Sequence, residues 1–313
     1  MSQADPARIA MIARRYARYT DADLEARLSN MVILLSAPRS GSTLLFDLLA
    51  RSEQVLTIGG ETHAVYRQFP HLAAENAAFD SGMLNERHAD PETVRAFRCI
   101  FLAMLRNNHG QLLYDLPRRS TKGYVIVEKT PRNALNLPFL KQVFPDARYL
   151  FLHRDPAETI GSLMEGWETG ARTGRFVTYA KLPGWDRPIW CFVLPRGWRT
   201  MVGKSLAEIC AFQWNACNRQ ILEDTATSSA MMHVSYQALI DRPEAVLSAI
   251  GDRLSIFGAW EQWRASTLPT SASTVSLPRK NKWLARENEI RAVILSTRPV
   301  VQQIERRTHE GLP

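Results

Sequence analysis

The chain has 313 residues, 45% of them apolar and 22% charged, which excludes bulk disorder and supplies enough apolar material for a sizeable core. Lys and Arg outnumber Asp and Glu by 39 to 31, a formal net charge of +8. That excess favours anionic partners, yet no Lys/Arg run is dense enough to argue for nucleic acid.

Residues 1–30 predict one or two helices, an N-terminal helical extension carrying Arg8, Arg14, Arg15 and Arg18 and lacking an apolar run of signal length. Residues 31–36 form a short apolar run that enters a Pro/Gly/Ser loop, and the apolar stretch Leu44–Leu49 follows it. Apolar strand, small-residue turn and helix together open a buried parallel-sheet unit. Residues 55–58 predict a short strand ended by Gly59-Gly60. Residues 91–113 predict a helix from the spacing of Phe97, Ile100, Phe101, Met104, Leu105 and Leu112. Strands are expected at 124–127 and 148–153, with a helix at 135–143 between them and another after Pro156.

Residues 165–204 hold Trp167, Trp185, Trp190 and Trp198, four of the eight tryptophans, among several prolines and glycines. They read as an irregular insertion or lid, although their aromatics equally suit a core. Beyond them a helix is expected at 205–223, a strand at 231–235, helices at 243–256 and 287–307, and a loop at 265–280. Strands alternating with helices imply an α/β fold in one domain over 1–313, a mostly parallel sheet flanked by helices. Ligands of such sheets bind at the carboxyl ends of the strands.

Cys99, Cys191, Cys210 and Cys217 form no C-x-x-C pair, and no Cys/His cluster has zinc spacing, so no metal site is expected. Four free thiols suit a reducing, cytoplasmic setting. No stretch reaches the roughly 18 apolar residues that a transmembrane segment needs.

Ser36-Ala-Pro-Arg-Ser-Gly-Ser-Thr43 links the first strand to a helix. Gly41 lets the chain turn closely around an anion, the helix N-terminus offers N–H groups, and Arg39, Ser40, Ser42 and Thr43 add side-chain donors. It is not a Walker A loop, because Ser36 replaces the first Gly and Ser42 the Lys of G-x-x-x-x-G-K-[ST]. The strand followed by P-[RK]-S-G-[ST]-T resembles the phosphosulfate loop of sulfotransferases that use 3′-phosphoadenosine 5′-phosphosulfate (PAPS). That resemblance implies a P-loop-like sulfotransferase fold and PAPS as co-substrate, without a metal.

Further segments extend it over about residues 31–285. Arg148–Leu163 is similar to the family's second nucleotide segment, which implies Arg154 and Ser162 at the 3′-phosphate; chemically, Arg offers a fork and Ser a hydroxyl. Val234–Pro243 resembles the strand-then-Tyr segment, implying Tyr236 near adenine or a phosphate. Leu277-Pro-Arg-Lys-Asn-Lys-Trp283 resembles the basic loop over the 3′-phosphate, with Arg279, Lys280 and Lys282 as contacts; Asn281 stands where cytosolic enzymes have Gly. Gly59-Gly-Glu-Thr-His63 is similar to a segment of tyrosylprotein sulfotransferases, and its Glu-x-His pair to sulfotransferase domains of polyketide synthases. Glu61 is the first expectation for the general base and His63 the second. Val127–Asn133 resembles the family's [DE]-K-[ST]-P segment and implies Lys129 as the cation at the bridging oxygen, with Arg132 at acceptor or phosphate.

The acceptor expected is a small molecule, a lipid or an acyl group on a carrier protein, the Glu-x-His pair suggesting a β-hydroxyacyl group sulfated before decarboxylation. Two rivals stand beside this reading. A P-loop-like kinase would bind Mg·ATP. A non-catalytic nucleotide-binding protein would leave Glu61, His63 and Lys129 apart from one another.

Overall fold

The computed structural model describes residues 5–258, 260–271, 274–276 and 279–310. Leu277 and Pro278, which open the expected basic loop, and four residues of the 1–30 extension lie outside this set. Two helices come first, α1 (Pro6–Tyr16) and α2 (Asp21–Leu28), each capped by a side chain, Asp5 and Thr20. The chain then runs through β1 (Met31–Leu35), α3 (Ser42–Leu49), β2 (Val55–Leu56), the single turn α4 (His63–Tyr66), α5 (Pro91–Met104), β3 (Val125–Lys129) and α6 (Leu137–Val143). It continues with β4 (Arg148–His153), α7 (Pro156–Thr173), β5 (Val177–Ala180), β6 (Ile189–Cys191), α8 (Leu206–Asp224) and β7 (Met231–Ser235). The last helices are α9 (Tyr236–Asp241), α10 (Pro243–Leu254), α11 (Glu287–Ile294) and α12 (Arg298–Glu310).

Five strands form one sheet in the order β2-β3-β1-β4-β7, and every neighbouring pair is parallel. The uninterrupted apolar runs of the inner strands follow from burial on both faces. Along β1, Met31, Ile33 and Leu35 face one apolar layer while Val32 and Leu34 face the other. β4 divides likewise, Tyr149 and Phe151 against Leu150 and Leu152. The larger layer takes Ile12, Tyr16, Leu24 and Leu28 from α1 and α2, so this N-terminal stretch is packed into the core. Because all five strands run the same way, their carboxyl ends share one edge, and the segments after β1, β2, β3, β4 and β7 converge there.

Three expectations change. Residues 165–204 are more regular than an irregular insertion: α7 extends to Thr173, and β5 and β6 pair as an antiparallel ribbon. Trp190 and Trp198 are fully buried, Trp167 nearly so, and with Trp185 they form an edge-to-face cluster with centroids 4.7–6.4 Å apart. Their indole N–H groups are satisfied: Trp167 donates to Gln213, Trp185 to the Ile189 carbonyl, Trp190 to that of Val193 and Trp198 to that of Phe79.

The helix expected over 91–113 stops at Met104. Arg106 pairs its backbone with Thr57 in an antiparallel bridge, and Asn107 to Gly110 form a turn with Gly110 at φ 79°. Leu105 and Leu112 are therefore buried without being helical. The final helix breaks at residues 295–297, where Pro299 removes the N–H that would continue the ladder.

Candidate functional site

The loop between β1 and α3 has two residues in the left-handed region, Arg39 at φ 68° and Gly41 at φ 96°. A Cβ on Gly41 would lie 2.2 Å from Cε2 of Tyr236, so both the turn and the close approach demand glycine here. Arg39 has no such exemption, and a strained non-glycine residue of this kind persists only where its surroundings hold it. Gly41 is the N-cap of α3 and gives it no side-chain cap, which leaves the first turn to the loop. Arg39, Gly41, Ser42 and Thr43 line a cavity of ≈ 1340 Å³, while the buried Ser40 stands outside its lining.

Lys129 ends β3 beside this loop. Its Nζ donates to Thr43 Oγ1 at 3.1 Å and to Glu61 Oε1 at 2.6 Å. The other carboxylate oxygen of Glu61 lies 3.1 Å from His63 Nε2. Exposure rises along this chain, from 4% for the Lys129 side chain through 34% for Glu61 to 45% for His63, so the cation is sunk and the imidazole faces the cavity. Burial alone would raise the Glu61 carboxyl, but the hydrogen bond from His63 and the Lys129 charge outweigh it and hold it at about 2.

The neighbouring Glu128 does not pair with Lys129. Its carboxylate is fully buried and accepts from Thr62 Oγ1, from Thr130 Oγ1 at 2.6 Å and from Asn133 Nδ2 at 2.6 Å. The Thr62 N–H donates to Thr130 Oγ1 at 2.7 Å. Thr62 sits between Glu61 and His63, so this network ties the segment after β2 to the end of β3 and orients both side chains.

The second group of residues lies across the loop. Arg39 Nε donates to Ser162 Oγ at 3.3 Å, and Arg154 donates to the Arg39 carbonyl at 3.3 Å and to Glu158 at 3.3 Å. The Arg154 guanidinium stacks 4.5 Å from the Tyr236 ring centroid. Burial, eased by Glu165 and reinforced by Arg175 and Arg154, lowers Arg39 to about 10. Arg39, Arg154 and Arg175 lie close enough to act on one another electrostatically, and such a group of guanidinium ions is suited to a polyanion.

The basic segment meets the cavity selectively. Arg279 and Lys282 line it; Lys280 does not, and pairs with Asp241 at 3.2 Å. Lys282 contacts both oxygens of Glu165 at 2.7 Å, Arg286 contacts Glu168 at 2.6 Å, and the Asn281 N–H donates to Glu158 at 2.7 Å. Asn281 has φ 57°, a conformation that Asn tolerates better than other non-glycine residues, which explains how it occupies a position where Gly was expected. Sequence reasoning missed Glu158 and Glu165. Their signal was present, because both lie on the Ser162 face of α7, at four residues before and three after.

The cavity continues away from the phosphate loop into an apolar basin formed by Tyr66, Phe69, Leu72, Leu135, Tyr179 and Leu194. One small ligand needs about 300–1,000 Å³, so the whole space accommodates two. Among the described residues there is no group of three or more His, Cys, Asp or Glu that could hold a metal ion, and no helix long and apolar enough to cross a membrane.

Residues 32–187, about half of the chain, match the family model described as the sulfotransferase family. A curated Caenorhabditis briggsae protein named "Putative protein-tyrosine sulfotransferase" is 24% identical over 160 residues. That match covers 49% of this chain and 52% of the relative, so the chain spans about half the length of the curated relative it matches. Sulfotransferase STF9 from Mycobacterium avium superposes with a TM-score of 0.51 at 15% identity, over 93% of this chain and 80% of that one, a likeness of fold. The sulfotransferase domain from the curacin biosynthetic pathway aligns at 20% identity over 75% of this chain and 77% of that one, with a TM-score of 0.45.

Proposed function

Because this chain belongs to the sulfotransferase family, as residues 32–187 show, we propose that it moves the sulfuryl group of PAPS to a hydroxyl or amine by in-line transfer. The observation that carries this reading is the continuous contact from Thr43 through Lys129 and Glu61 to His63, at the mouth of the phosphate loop. In it, cation and proton acceptor converge on one point beside an anion cradle.

In the proposed mechanism, Ser40, Ser42, Thr43 and the α3 N-terminus hold the 5′-phosphosulfate, and Arg39 bridges from it toward Ser162. Arg154 and Ser162 take the 3′-phosphate, with Tyr236 and Arg279 along the nucleotide; Lys280 is the weakest member of the expected set because Asp241 already engages it outside the cavity lining. Lys129 faces the bridging oxygen, where charge grows as the sulfur–oxygen bond to phosphate breaks and the bond from the acceptor atom forms. The Glu61–His63 pair receives the acceptor proton. A carboxyl held at about 2 is a weak acceptor near neutral pH, whereas an imidazole suits proton transfer in that range. His63 is therefore the base in this reading, and Glu61 orients it while neutralising Lys129, which reverses the order expected from sequence.

Thermal shift with adenosine 3′,5′-bisphosphate and, separately, Mg·ATP tests the donor. A ligand that binds only the folded state must raise its stability. Stabilisation by the bisphosphate supports the reading, and stabilisation by Mg·ATP alone reverses it in favour of a kinase.

A further inference from the structure

The apolar basin contains a half-buried cation that the proposed transfer does not use. Arg132 follows β3 by three residues, and its half-buried side chain lines the cavity. The guanidinium lies over the Tyr66 ring, 4.9 Å from its centroid, and Nη2 donates to the Gly82 carbonyl at 3.3 Å. Among the described residues no carboxylate comes within ion-pair distance of it. Glu128, the buried carboxylate near Tyr66, is held by Thr62, Thr130 and Asn133. Glu75 and Arg67 also line the cavity, but both are exposed and oppose each other in sign.

Lys129, Arg154, Lys282 and Arg286, which also stand around the cavity, each meet a carboxylate. A guanidinium partly withdrawn from water keeps its charge and needs acceptors for a fork of five N–H donors. One carbonyl and one ring face leave most of that fork unused. Its planar geometry matches a carboxylate better than it matches a neutral oxygen.

We propose that Arg132 selects an acceptor that carries a carboxylate: an apolar chain or ring whose hydroxyl reaches His63 while its acid group meets the guanidinium. This inference rests on the sulfotransferase reading and deepens it by naming the acceptor class. The Tyr66, Phe69 and Leu72 walls cover the apolar body of the acceptor, and Arg132 meets its acid group.

The test uses the full chain saturated with adenosine 3′,5′-bisphosphate, with binding of the bisphosphate measured first and alone. Two matched pairs serve as probes: 3-hydroxydodecanoate against its methyl ester, and 4-hydroxyphenylacetate against its methyl ester. Calorimetric titration should show at least one acid binding about 10- to 100-fold tighter than its ester, the range expected for a charge-assisted hydrogen-bonded pair. The pair that shows the preference tells an aliphatic hydroxy acid from a phenolic one. Arg132→Gln should abolish the preference while leaving bisphosphate affinity and the thermal midpoint near those of the parent, and Arg132→Lys should restore part of it. Equal binding of acid and ester, no binding of either pair, or a preference that survives in Arg132→Gln overturns the proposal. A loss of bisphosphate affinity in Arg132→Gln overturns it too, by assigning the arginine to the donor. If the parent chain fails to bind the bisphosphate at all, the donor reading fails instead.

Discussion

The two ends of the cavity are built in different ways. At the end proposed above for the donor, neighbouring residues supply most of the chemistry: Arg39 to Thr43 sit on one turn, Arg154 and Ser162 at one strand end and the helix after it. At the acceptor end, the walls come from segments far apart in sequence, Tyr66 to Leu72, Leu135, Tyr179 and Leu194. The segment bearing Leu194 is held from behind by Trp190, Trp198 and Gln213, the amide of Gln213 donating to the Cys191 and Val193 carbonyls at 2.8 Å. The donor end is thus a local device on a sheet edge, and the acceptor end is a by-product of how a core packs. Damage at the first should cost affinity and turnover, and damage to the packing behind the second should cost stability.

The largest separation of the two ends is expected from Trp190→Ala. A fully buried aromatic removed from the cluster should destabilise by about 3–5 kcal/mol. Chemical denaturation would read this directly, and a loss below ~1 kcal/mol would mean that the cluster does not brace the acceptor wall. Lys129→Ala comes next: turnover should fall by about 10²–10³ while bisphosphate affinity changes little. If the nucleotide affinity collapses with it, Lys129 belongs to ground-state binding and the line between donor and catalytic groups is drawn in the wrong place.

Gly41→Ala forces a left-handed conformation and a clash with Tyr236, at a cost of about 1–3 kcal/mol. That cost should appear mainly as weaker bisphosphate binding, since Tyr236 must move off the loop. Unchanged affinity would show that the loop relaxes freely and that its strain is irrelevant to the donor.

The pH dependence sharpens the same comparison. Glu61, held at about 2, stays ionised through the neutral range. An acid limb of kcat/KM near neutrality must then arise from another group, and a limb that vanishes in Glu61→Gln would return the role of base to Glu61.

A further effect concerns stability and lies beneath the donor end. Burial and, secondarily, His233 bring His153 down to about 4 from an ordinary 6.5. Its neutral form is favoured in the fold, so the unfolded chain binds more protons in that interval and stability rises with pH. The contribution is complete above about 6.5 and is lost as pH falls toward 4. His153→Phe should flatten the thermal midpoint across that window, and a parent midpoint already flat there would remove His153 from the account.

The segments of the donor end were legible because a strand end, a small-residue turn and a helix start are encoded by neighbours in sequence, with Arg39, Gly41, Arg154 and Ser162 standing out by type and spacing. Lys129, Glu61 and His63 were legible as candidates, each following an apolar run. Their mutual contact was not, since it depends on β3 lying beside β1 and on the buried Glu128 network that turns Thr62. The regular structure within 165–204 was misjudged because its prolines and glycines mask one antiparallel ribbon, and the end of α5 because Leu105 and Leu112 stay buried after the helix has given way to a bridge with Thr57.

Sequence by itself therefore determined the alternation of strands and helices, the two-faced burial of the inner strands and an anion-binding turn without a Walker lysine. Those features are short-range: a continuous apolar run, a glycine at a tight turn and a helix start need only neighbouring residues. Tertiary structure alone decided that Glu61 would be shared between Lys129 and His63, that Lys280 would turn to Asp241, and that Arg132 would stand in an apolar wall with no carboxylate partner among the described residues. Each of those is set by which strand ends meet at the sheet edge, and that depends on packing across the whole chain.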